Sequence, residues 1–233
     1  MLVKTLCQKY LKKTLSFVHA KRLNALFDCC WSLMNKADLT LTSIGRNMEN
    51  KAYVKHNIKK VDRLLKNPLL QDEMVSIYKE ISVKAFSCLD VPYILVDWSG
   101  CCSNEYHLLR ASLVYEGRSI VLYQEIYETS QLGSDKAHKI FLKNLSTILP
   151  ANRKIVVITD AGFKTPWFKG VLSFGWDYIG RIRDQMKVRL LENEDWFEAR
   201  SLFPQATHRI KYHGTVTLGK CSRTPVEGSL YLY

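Results

Sequence analysis

PYILVDWSG, residues 92–100, is a nearly unbroken apolar run that opens on Pro92, closes on Gly100 and carries a single acid, Asp97. A short run of this kind between turn residues reads as a buried strand. Two extended stretches follow, HLLRASLVYEG (107–117) and RSIVLYQEIYE (118–128), joined through Glu116 and Gly117, which is a hairpin signal. SDKAHKIFLKNLSTIL (134–149) changes period: Ser134 is placed to cap a helix, and Ala137, Ile140, Phe141, Leu145, Ile148 and Leu149 are spaced for one buried face. RKIVVITDAG (153–162) is a further strand ending on a second acid, Asp160. TPWFKGVLSFG (165–175) reads as a short helix started by Pro166, and WDYIGRIR (176–183) as another strand. Strand, hairpin, helix, strand, helix, strand is a mixed α/β layout with helices covering a sheet. Beyond residue 184 the pieces MKVRLL, HRIKYHG, TVTLG and GSLYLY are short and extended, as in a small β region.

The first third has a different character. Leu11, Leu15, Val18, Leu23, Leu26, Phe27 and Leu33 recur at helical spacing over residues 5–35, enough for two helices. Thr40 or Thr42 is placed to cap a short helix, Gly45 to Asn50 makes a polar break, and Asn50 is placed to cap the next helix. That helix has Val54, Ile58, Val61 and Leu65 on one stripe and Lys55, Lys59, Lys60, Arg63 and Lys66 on its other faces, and Pro68 should end it near Asn67. A short helix, a turn and a basic helix outline a helix-turn-helix, in which the second helix enters the major groove of DNA. A solvated basic helix in a plain bundle would give the same pattern.

Charge sharpens the picture. The net charge is +12, and residues 1–70 hold 14 Lys and Arg against 4 Asp and Glu, while residues 71–233 hold 20 against 18. An excess confined to one end attracts polyanions, with nucleic acid the commonest partner, and makes their binding salt-dependent. No apolar run is long enough to cross a bilayer and the N-terminus lacks a signal-peptide pattern, so the expected location is the cytoplasm, away from membranes. Cys7, Cys29, Cys30, Cys88, Cys101, Cys102 and Cys221 are odd in number and contain no CxxC pair, which points to reduced thiols rather than disulfides or zinc. His107, His138, His208 and His213 show no ligand spacing with cysteine or with one another.

Asp97 and Asp160 each end an apolar strand. Strand ends are where functional side chains emerge from α/β sheets, and a carboxylate beside so apolar a run must be solvated, paired or bound to a cation. A pair of carboxylates is what Mg²⁺ or Mn²⁺ needs to assist an in-line phosphoryl displacement. The plainer reading, that each aspartate caps its own turn, stays open on spacing alone. Lys164 and Lys169 are candidates for the DNA backbone near such a site, Arg110 for a phosphate or a carboxylate, and core packing is favoured over base stacking for Trp98 and Trp167.

IVVITDAGFKTPWFK, YILVDWSG, SFGWDYIGRIR and VKHNIKKVDRLL together resemble the insertion-sequence-four family of DDE transposases, especially the branch of transposon ten. The likeness runs over nearly the whole chain and keeps the order and contexts of both aspartates. It implies a helical DNA-binding domain over 1–70, an RNase H-like catalytic core over 71–183 and the start of a β insertion domain over 184–233. It also implies Asp97 and Asp160 as catalytic metal ligands for Mg²⁺ or Mn²⁺, and cut-and-paste transposition by strand cleavage and strand transfer. The implied partners are double-stranded DNA, as terminal inverted repeats and as target, and a second copy in a homodimeric synaptic complex. Lys55, Lys59, Lys60, Arg63 and Lys164 are the expected DNA contacts. The family's third carboxylate is a Glu in a Tyr, Arg, Glu, Lys signature, and none of Glu192, Glu194, Glu198 or Glu227 lies in one. The expectation is therefore a chain truncated before its third ligand, with crippled cleavage. Its rivals are a non-catalytic DNA-binding fragment that occupies transposon ends and inhibits transposition, and a nuclease of the same core that needs no terminal repeats.

Overall fold

The computed structural model describes residues 2–87, 89–101, 103, 105–193, 195–220 and 225–233. Cys88, Cys102, Cys221 and Glu194, named above, lie outside the described residues. The chain is mixed α/β, with helices first and then a mixed sheet with flanking helices. It divides into two compact units, Met1–Glu80 and Ile81–Tyr233.

In the first unit α1 (Leu2–Thr14) and α2 (Ala20–Met34) cover the region of helical periodicity, and Leu15, Val18 and Leu23 are buried with Val61, Leu64 and Leu70 in one core. Each such side chain contributes about 1.5–3 kcal/mol by leaving water. α3 (Leu41–Arg46) starts at Thr40, whose hydroxyl accepts from the Ser43 N–H at 3.1 Å. α4 (Val54–Leu65) carries most of the basic residues named above. α5 (Pro68–Phe86) begins on the proline that stops α4, since proline is tolerated at a first helical position. The break between the two units falls inside α5.

The buried stripe of α4 differs from the apolar one. Asn57, Val61 and Leu64 are buried, whereas Val54 is 48% and Leu65 54% exposed. Asn57 goes inside because its amide is fully matched: Asn50 donates Nδ2 to the Asn57 Oδ1 and accepts from the Asn57 Nδ2 in return, both at 3.1 Å. Asn50 is thereby committed and does not cap α4, which starts at Tyr53 without a side-chain cap. Gly45 is likewise not part of a break but lies inside α3, buried, where an added Cβ would sit 2.7 Å from the backbone nitrogen of Ile58. Only the absence of a side chain lets α3 and α4 cross this closely.

In the second unit β1 (Tyr93–Cys101), β2 (Tyr106–Tyr115), β3 (Arg118–Glu128), β4 (Val156–Thr159) and β5 (Asp177–Gly180) form a sheet in the order β3-β2-β1-β4-β5. β1, β2 and β3 pair antiparallel, and β4 and β5 join on the other side of β1 in parallel. The hairpin turn has Glu116 at φ +43° and Gly117 at φ +73°, the left-handed pair that matches strand twist. α6 (Asp135–Ile148) is capped by Ser134, which accepts from the Ala137 N–H at 3.2 Å. It buries Ala137, His138, Phe141, Leu142 and Leu145, while Ile140 is 42% exposed, so His138 takes the inward place that apolarity assigned to Ile140. α7 (Thr165–Ser173) packs against α6 and β5. β6 (Lys187–Leu190), β7 (Phe197–Glu198), β8 (Lys211–Leu218) and β9 (Val226–Leu232) make a second sheet, order β7-β6-β8-β9, with its own core around Val188, Val216 and Leu230. No helix is long and apolar enough to cross a membrane among the described residues.

Gly45→Ala should destabilise the helical unit by about 1–3 kcal/mol, the usual cost of forcing atoms into packed space. Denaturant unfolding followed by circular dichroism measures it, and wild-type stability in the variant would show that the helices do not cross this closely.

Candidate active site

The parallel ladder between β1 and β4 runs through Tyr93↔Val156, Ile94↔Val157, Leu95↔Ile158 and Val96↔Thr159. The next residue on each chain is an aspartate, Asp97 and Asp160, and both are exposed. Adjacent strands lie about 4.8 Å apart and paired residues face the same side, so the register sets the two acids as neighbours at the edge of the β1–β4 ladder, in the middle of the sheet. Within β1 the alternation is clear: Ile94 and Val96 are buried on the side covered by α6, and Leu95 and Asp97 face away from it.

Each carboxylate uses one oxygen locally. Asp97 Oδ1 accepts from the Trp98 N–H and Asp160 Oδ1 from the Gly162 N–H, both at 2.8 Å. The second is an Asx-turn, and it depends on glycine, because a Cβ at position 162 would lie 2.9 Å from Asp160 Oδ1. The turn-capping reading thus describes one oxygen of each residue. Among the described residues no hydrogen bond or ion pair occupies Oδ2 of either. Arg183 supports the same turn by donating Nε to the Ala161 carbonyl at 2.7 Å.

The polar row continues across the sheet. Asp97 pairs in register with Arg110 on β2, and Arg110 with Gln124 on β3, whose Oε1 accepts from Arg110 Nε at 3.1 Å. A cation therefore stands beside the acid pair on the open face. Lys164 is exposed at the position preceding α7, in the turn that follows Asp160. A cleft of about 1130 Å³ lies elsewhere, between β5, β8 and β9, and neither aspartate lines it.

Beneath this edge, on the covered side, lie aromatic rings. Trp98 Nε1 donates to His138 Nε2 at 3.2 Å, and the Trp98 ring meets Tyr127 edge-on at 5.4 Å. Trp167 is 1% exposed, in keeping with packing rather than stacking on a base. Tyr123 and Tyr127 donate their hydroxyls to Glu125, which also accepts from Asn144 Nδ2 at 2.6 Å, and burial pushes the Tyr127 phenol up.

In the helical unit Lys55, Lys59 and Arg63 are exposed and stand four residues apart on α4, forming one cationic stripe with no ion pair among the described residues. Lys60 is different: it is half-buried and its ammonium pairs with Asp28 of α2. Lys66 pairs with Asp62 at 2.9 Å. Periodicity alone could not separate Lys60 from its neighbours, because the acid that neutralises it lies on another helix. Of the residues around the aspartates, Gly162 was detectable in the sequence Asp-Ala-Gly, while Gln124 and Arg183 carried no local signal. Hard oxygen donors with an uncommitted oxygen each are suited to a divalent cation. No group of three His, Cys, Asp or Glu side chains gathers among the described residues. No protein-family model and no curated protein matches the chain.

Burial holds the His138 imidazole down at about 4, below its ordinary 6.5, with Asp135 pulling weakly the other way. Between those values the unfolded chain binds a proton that the native ring refuses. Stability is therefore full above about pH 6.5 and is lost as pH falls toward 4, by about 3 kcal/mol from this group. Denaturant unfolding over that range should show a steeper acid-side decline for the wild type than for His138→Gln, and parallel profiles would contradict a buried neutral ring.

Proposed function

We propose that this chain serves DNA transposition as a DDE-type transposase of the insertion-sequence-four kind, with Ile81–Tyr233 containing an RNase H-like core and the helical unit reading terminal inverted repeats. The observation that carries the reading is the register: Asp97 on the first strand and Asp160 after the fourth stand one step beyond Val96↔Thr159, with an oxygen of each uncommitted. The sheet order and the family resemblance of the strand sequences support it. So does the exposed cationic stripe of α4.

Asp97 and Asp160 would hold Mg²⁺ or Mn²⁺. When bound, the cation supplies neutralisation of the acid pair and stabilisation of the attacking and leaving oxygens in phosphoryl transfer. Around it the chain's own residues bind and orient. Arg110 offers positive charge to a phosphate beside Asp97, and Lys164 offers it on the Asp160 side. The reaction is hydrolysis at the element's end: water oxygen joins phosphorus, the bond to the 3′ oxygen breaks and that oxygen leaves as a 3′-hydroxyl; this hydroxyl then joins the phosphorus of a second phosphodiester, whose own 3′ oxygen leaves and takes up the proton. On α4, Lys55, Lys59 and Arg63 fit phosphates or base edges. Lys60, tied to Asp28, contributes to holding α4 against α2.

With Mn²⁺ or Mg²⁺, a duplex bearing the element's terminal repeat should be nicked, slowly because only two of the family's three carboxylates are at hand, and a scrambled duplex should not. Asp97→Asn or Asp160→Asn should lower nicking by about 100-fold or more while leaving binding intact. Salt-sensitive end binding without nicking would support the non-catalytic reading instead, and equal cutting of both duplexes a general nuclease.

Alanine at Lys55, Lys59 or Arg63 should weaken DNA binding and reduce the slope of log affinity against log salt by about one each. Lys60→Ala should leave that slope closer to wild type and lower helical stability. Equal slopes for all four variants, measured by fluorescence anisotropy across a salt series, would remove the distinction.

A further inference from the structure

Asp97 and Trp98 are consecutive on β1, so strand alternation sends the carboxylate to the open face and the indole to the covered one. There the indole N–H is received by Nε2 of His138 at 3.2 Å. His138 is 6% exposed. Its ring stacks on Phe163 at 5.3 Å and meets Trp167 edge-on at 5.0 Å, and those two rings lie 4.7 Å apart. Phe163 belongs to the turn that follows Asp160, and Trp167 to the first turn of α7 that closes it. One imidazole therefore touches both the strand that carries Asp97 and the loop that carries Asp160.

The hydrogen-bonded ladder of β1 and β4 stops at Val96↔Thr159, one residue short of the acids. Beyond that point Asp97 is held by its pairing with β2 and Asp160 by its own turn, so no backbone hydrogen bond ties the one to the other, and their like charges push them apart. What packs beneath them links the two. A phenyl ring at position 138 would supply the faces but no acceptor, and a glutamine the acceptor but no ring; a neutral histidine supplies both.

We propose that His138 is a positioning residue: by accepting from the Trp98 indole and packing on Phe163 and Trp167, it sets the spacing of Asp97 and Asp160 on the opposite face and so the affinity of the pair for a divalent cation. This rests on the reading of the two aspartates as cation ligands given above.

The test uses the full chain, ¹⁵N-labelled, with Mn²⁺ as the probe. The Trp98 indole resonance is assigned by its loss in Trp98→Phe. In the wild type Mn²⁺ should broaden that resonance, and in Asp97→Asn it should not. His138→Phe should shift the Trp98 indole proton and weaken Mn²⁺ binding, read by electron paramagnetic resonance of the free ion, by about tenfold or more, as loss of an outer-shell partner does. His138→Gln should recover most of that affinity. Should His138→Phe fail to fold, Trp98→Phe removes the same hydrogen bond from the donor side and should weaken Mn²⁺ binding similarly. Wild-type Mn²⁺ affinity in folded His138→Phe or in Trp98→Phe overturns the role of His138 while leaving the aspartate pair standing. A Trp98 resonance untouched by Mn²⁺ in the wild type overturns the aspartate pair itself, and the positioning role with it.

Discussion

Everything in the larger unit follows from the parallel pairing of β1 with β4. A parallel pair cannot be closed by a tight turn and needs a long crossover, which here consists of the β2–β3 hairpin and α6. The register of that pair has little freedom. Sliding β1 by one residue would turn Ile94 and Val96 to the open face and drive Asp97 toward the side where Phe141 and Leu145 are buried. A carboxylate there, without a partner, is far too costly to tolerate. The apolar residues thus decide where the acids stand.

Division of labour between the two faces is the second consequence. The face toward α6 is oily and aromatic, and its one carboxylate, Glu125, is satisfied by two phenols and an amide. The other face carries Gln124, Arg110 and Asp97 in a row across three strands. One carboxylate is enclosed and fully hydrogen-bonded, and the other is exposed with an oxygen to spare. Burial and partners, rather than residue type, separate the two acids.

The strands were legible because continuous apolar runs between turn residues have few other fates, and the same holds for the Ser134 cap and the Glu116–Gly117 turn. α5 escaped notice: its inward Leu70, Met74 and Ile77 are followed by exposed Ile81 and Val83 flanking buried Ser82, so no single stripe runs its length. Asp160 was legible as a strand end, whereas Asp97, read the same way, lies inside β1, which continues to Cys101 because β2 pairs with it that far; the adjacency of the two was not legible, since register between strands separated by a hairpin and a helix leaves no local trace. Lys60 and His138 show the same limit. Each looks like its neighbours in sequence and is set apart only by Asp28 or Trp98, brought close by folding.

The reciprocal amide pair of Asn50 and Asn57 carries a last implication. Neither group ionises, so the clasp that seats α4 is indifferent to acidity and to counterions, whereas the lysines and arginine on its outer side are surrounded by a cloud of mobile anions. Of the two ties that seat α4, the amide pair and the Lys60–Asp28 ion pair, only the second weakens as salt rises, so the helix keeps one anchor whatever the medium.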